Sequence, residues 1–69
     1  MPDGSNVGVN LEDQIAAVRR EIAMRERAYP RFVERKQLTQ AKADHELLAM
    51  HAVLRTLLDI AAERGGQIA

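Results

Sequence analysis

Apolar side chains recur along the chain at alternating steps of four and three. The first series runs Leu11, Ile15, Val18, Ile22, Tyr29 and Phe32, with Arg25 standing where the next apolar residue is due. That spacing keeps a single stripe on one side of an α-helix. Asn10 is placed to cap the free amides of the first turn, and Glu12 and Asp13 put negative charge at the positive end of the helix dipole. A second series, Ala43, Leu47, Met50, Leu54, Leu57 and Ala61, repeats the spacing, and Val53, Leu58 and Ile60 broaden it. Thr39 is a plausible N-cap for this helix, with Leu38 before it as a hydrophobic staple, and Gly65 and Gly66 predict its end near Arg64.

The interval between the two series contains Pro30, which has no amide hydrogen for the carbonyl of Glu26 and crowds it, at a cost of ~3 kcal/mol inside a helix. Yet Phe32 follows Tyr29 in register across the proline. Two outcomes fit: a kink in one helix, or a break followed by a short helix beginning at Pro30. A turn over Lys36, Gln37 and Leu38 then returns the chain. The predicted fold is all-α, an antiparallel, coiled-coil-like helical hairpin bent at Pro30. Its predicted organisation is a flexible N-terminal arm over 1–9, a hairpin domain over 10–64, and a flexible C-terminal tail over 65–69.

The two stripes differ in width. At about 100° per residue the first helix confines its large apolar side chains to roughly 100°, enough for one neighbour, whereas the second spreads Leu47, Met50, Val53, Leu54, Leu57, Leu58 and Ile60 over roughly 160°. In an antiparallel hairpin Leu11 falls near Ala61, Ile15 near Leu57, Val18 near Leu54, Ile22 near Met50, and Tyr29 near Ala43. One companion cannot cover the wider face. Those seven residues are therefore the predicted protein interface, and a homodimer forming a four-helix bundle is the simplest closed solution.

Composition sharpens this expectation. A chain of 69 residues supplies only about 3 to 5 kcal/mol from its own core, and with no cysteine it has neither disulfides nor thiolate metal sites to add. Ten basic and ten acidic residues leave no net charge to draw the chain to nucleic acid or an acidic membrane. No run of 18 apolar residues is present, and the opening "MPDGSNVGVN" does not read as a secretory signal, so a cytoplasmic protein without a membrane partner is expected.

The candidate chemistry is sparse. "HELLAMH" resembles a zinc-protease motif, but its histidines are six residues apart instead of four, which leaves His45 and His51 about 120° apart on the helix. No metal, cofactor or catalytic residue is predicted, because no nucleophile stands beside a base and the carboxylates are spread over outer faces. "LTQAKADHEL" after a turn has the look of a recognition helix, but Asp44 and Glu46 occupy the positions that would meet phosphates and base edges. The segment from Arg19 to Lys36 is different, with seven basic and three acidic residues. Arg20, Arg27 and Arg31 lie opposite the stripe with Arg35 nearby, and Arg27, Arg31 and Arg35 form a ladder at steps of four, whose like-charge pairs cost about 0.2 to 0.5 kcal/mol each. Phosphates could relieve that repulsion; a solvated face, with Glu21 pairing Arg25 and Glu34 beside Arg31, is the plainer reading. Arg25 in the seam must either snorkel out beside Leu47 or meet Glu46 across the hairpin.

The central segment carries an arginine-rich helix closing on Tyr29 and Pro30, then Val33, Leu38, Thr39, Ala43, Asp44, Glu46 and the run from Met50 to Leu54. In these features it resembles a group of small proteins of bacterial genomes and their phages and prophages, over about Val18 to Leu57. Members of that group often carry tryptophan and glycine in the bend, where this chain has Phe32 and Arg35 or Lys36. The resemblance implies a small helical, phage-derived protein and carries no active residues. The functional expectation is a non-enzymatic helical module for protein–protein interaction or assembly; the alternative is an accessory nucleic-acid binder using the four outer arginines.

Overall fold

The computed structural model describes residues 9–68, with side chains as far as Arg64. Two α-helices, α1 (Leu11–Glu34) and α2 (Gln40–Ile68), pack against each other as a helical hairpin. The arm predicted over 1–9 lies outside the described residues except for Val9, as does the last residue of the predicted tail.

Both helix starts follow from short-range hydrogen bonding. The Asn10 side chain, on extended backbone, accepts from the Asp13 amide at 2.8 Å, and the Thr39 hydroxyl accepts from the Lys42 amide at 3.1 Å. Each cap satisfies a donor that the first turn leaves free.

α1 passes through Pro30 as one continuous helix, so the predicted alternative of a break and restart at Pro30 is not what the chain adopts. The proline stands in the last two turns, where little helix remains to be disrupted, and the packed stripe on either side holds the register. The helix then closes with the Schellman pattern of hydrogen bonds. The Gln37 amide donates to the Phe32 carbonyl at 2.9 Å and the Lys36 amide to the Val33 carbonyl at 3.0 Å. This geometry demands a left-handed residue, and Lys36 supplies it at φ 61 without the help of a glycine. The reversal is thus complete within five residues, 35–39.

α2 continues through Gly65 and Gly66 to Ile68 instead of stopping near Arg64. Glycine lowers helix propensity by about 1 kcal/mol relative to alanine but does not forbid the conformation. The backbone stays helical at both glycines, so neither serves as the left-handed cap that often ends a helix.

The seam between the helices is dry at two points among the described residues: Ile22 retains 5% of its exposure and Ala43 2%. Ala43 is small enough to let α1 approach closely near the loop, and Ile22 fills the middle. Leu11, Ile15, Val18 and Tyr29 of α1 and Leu47, Met50, Leu54 and Leu57 of α2 are only half-buried. At the loop end Val33 turns inward beside Ala43 and Leu47, while Phe32, predicted as the last stripe residue, stays 39% exposed. The drift of a 3.6-residue helix against a stripe stepped in threes and fours accounts for the exchange. The molecule measures 46 × 27 × 15 Å, so its thinnest dimension is about that of one helix with its side chains. It is a single layer, whereas a hydrophobic core is ordinarily enclosed between two. No helix among the described residues is long and apolar enough to cross a membrane.

Candidate interaction surface

Arg25 organises the charges within the seam. Its guanidinium donates to Glu21 at 2.8 Å one turn earlier on α1 and reaches Glu46 of α2 at 3.7 Å. Of the two expected solutions for a seam arginine, the structure takes the pairing across the hairpin. The hydrogen bond to Glu21, against the smaller opposing effect of partial burial, raises the Arg25 pKa above its ordinary value, so its charge is permanent. On the other edge of the seam His51 Nε2 lies 3.9 Å from Glu26, both side chains about half exposed. His45 is exposed. No three histidine, cysteine, aspartate or glutamate side chains converge on a metal-sized site among the described residues.

The outer face of α1 carries the four arginines singled out above. Arg20, Arg27, Arg31 and Arg35 are all exposed, and among the described residues none has a carboxylate within 4.0 Å. The expected neighbour of Arg31, Glu34, makes no such pair. Arg31 does stand in the last turn of α1, where the negative end of the helix dipole offsets part of the ladder's repulsion. Met24, 50% exposed, lies four residues after Arg20 and three before Arg27, hence on this same face. Sequence reasoning passed over it because it belongs to neither stripe; the signal was a large apolar residue at helical spacing from two arginines.

The predicted interface residues of α2 divide according to their angle to α1. Leu47, Met50, Leu54 and Leu57 turn toward the seam and are half-buried. Leu58 and Ile60, also half-buried, stand on opposite flanks, and Val53 remains 46% exposed. Leu48, about 80° further round than the predicted arc, is 69% exposed. None of the seven is buried.

Three open grooves mark places where the two helices do not close on each other. One of about 310 Å³ lies beside Pro30, between Tyr29 and Val33 of α1 and Ala43 and Leu47 of α2. A second, of about 450 Å³, runs between Phe32, Leu38, Lys42 and Glu46 at the loop end. The third, of about 330 Å³, separates Leu11 and Gln14 from Leu57 and Ile60 at the open end. None gathers a nucleophile and a base, and their walls mix aliphatic stems with one or two charges.

Comparison with known proteins gives no match to any family model, curated protein or solved structure.

Proposed function

We propose that the protein is a non-enzymatic helical interaction module whose first partner is a second copy of itself, two hairpins closing into a four-helix bundle. One observation carries this reading. Among the described residues only Ile22 and Ala43 are buried, while Phe32 keeps 39% and Val53 46% of their exposure. A fully buried leucine or valine contributes about 1.5 to 3 kcal/mol relative to an exposed one, so covering this surface is the largest stabilisation still open to the chain. A second layer supplies it, and a closed two-fold dimer does so without leaving an uncovered face to recruit further copies. Sedimentation equilibrium across the micromolar range tests the reading: a two-protomer mass supports it, and a monomer throughout overturns it. A phage or prophage origin belongs to the same proposal and rests on the resemblance of the central segment alone.

The unpaired arginines favour a second reading, an accessory contact with the phosphate backbone of nucleic acid. The array of Arg20, Arg27, Arg31 and Arg35 contacts charge without reading base edges, so its affinity should fall steeply with salt. Absence of binding to any DNA or RNA at low salt removes this reading and leaves the first untouched.

A further inference from the structure

Among the described residues, three of the five large apolar side chains left exposed, Val9, Phe32 and Val53, stand on one edge of the hairpin. The placement follows from spacing and contacts. Val18, Arg25 and Phe32 are seven apart on α1, and Glu46, Val53 and Ile60 are seven apart on α2, so each set forms a row along one side of its helix. The Arg25–Glu46 ion pair and the groove shared by Phe32, Leu38 and Glu46 bring the two rows onto the same edge. At the open end Val9 and Ile60 line one groove together.

We infer that this edge is where the second copy docks, with the two-fold axis running along the helices so that both loops lie at the same end. The inference rests on the self-association proposed above and adds its face and its orientation. That axis lays α1 of one copy over α2 of the other. Arg25 then faces the partner's Glu46 and Glu46 faces the partner's Arg25, a square of alternating charges in which every neighbour is opposite in sign. One level toward the open end Val18 meets the partner's Val53, and at the loop Phe32 meets the partner's Leu38. Turning the second copy end for end instead stacks α2 on α2. With α1 likewise on α1 and the ends matched, Val53 would then lie against the partner's Glu46 and Val18 against the partner's Arg25, each apolar contact exchanged for a desolvated charge. The face is also large enough. At 46 × 27 Å it exceeds the roughly 800 Å² that each partner gives to a standard interface.

Because the chain has no cysteine, Q37C places a single spin label in each loop. With the loops together, the label pair in the dimer should measure within about 25 Å, as expected of helices packed 8–10 Å apart. A pair separated by about the 46 Å length of the molecule overturns the orientation while leaving the dimer standing. A monomer in the accompanying sedimentation run overturns both. Charge reversal supplies an independent measurement. Arg25→Glu and Glu46→Arg should each weaken self-association at least tenfold, and mixing the two variants should restore dimers made of one of each. Equal weakness in the mixture removes the ion pairs between copies.

Discussion

The guanidinium of Arg25 lies 3.7 Å from the carboxylate of Glu46, joining α1 to α2 across the seam while it holds Glu21 at 2.8 Å on its own helix. A one-turn slip of either helix would carry Arg25 away from Glu46 and leave its charge level with Lys42 in one direction or Met50 in the other. The contact is therefore a device of register more than of strength, because partly exposed ion pairs add little stability.

Replacing Arg25 with glutamine keeps most of the stem and removes the charge. The variant should melt slightly below the parent at low salt. The difference should vanish near 1 M salt, where the screening length falls to about 3 Å. Thermal melts followed by circular dichroism at two salt concentrations check this.

Ile22 is the one large side chain of the seam that is buried, at 5% exposure. Ile22→Ala should cost about 2 to 4 kcal/mol, comparable with everything a core of this size supplies. The far-ultraviolet helical signal at 25 °C should collapse at low protein concentration.

Lys36 holds φ 61, a conformation that costs a side-chain-bearing residue about 1 kcal/mol and glycine almost nothing. Lys36→Gly should therefore stabilise the hairpin by about that amount. A urea titration would register it as a higher midpoint with an unchanged slope.

Pro30 lies inside α1 and leaves the carbonyl of Glu26 without its helical donor. Pro30→Ala should raise stability, by up to about 3 kcal/mol if the chain keeps its present path. A loss of stability would mean that the proline's fixed φ is needed to bring Tyr29 and Val33 onto Ala43.

Val53 lies in one row with Glu46 and Ile60 and is 46% exposed. Val53→Glu should leave the helical content of dilute protein nearly unchanged and abolish any rise of melting temperature with concentration. That rise is the mark of a fold completed by association.

Much of the hairpin was written locally in the chain. Asn10 and Thr39 cap because each acceptor lies three residues from its donor, and counting both stripes toward a common turn brought Arg25 level with Glu46. For Arg25 the count left two outcomes open, Glu46 or a path beside Leu47, and the packed hairpin chose Glu46. Other features were not local either. The left-handed turn fell on a lysine, so no glycine announced it. Phe32 and Val33 exchanged roles because a 3.6-residue helix drifts against a stripe stepped in threes and fours. Gly65 and Gly66 failed to stop α2 because a helix end depends on the backbone path beyond the residue as well as on the residue itself.

The sequence by itself determined two amphipathic helices, their register and the excess apolar width of the second, since these depend on periodicity and on bonds between near neighbours. Only the tertiary structure decided which side chains remain wet and on which edge they gather, because the turn over 35–39 sets the rotation of each helix about its own axis. That rotation places Phe32, Val53 and the Arg25–Glu46 pair on a common face, and no pattern read along one helix contains it.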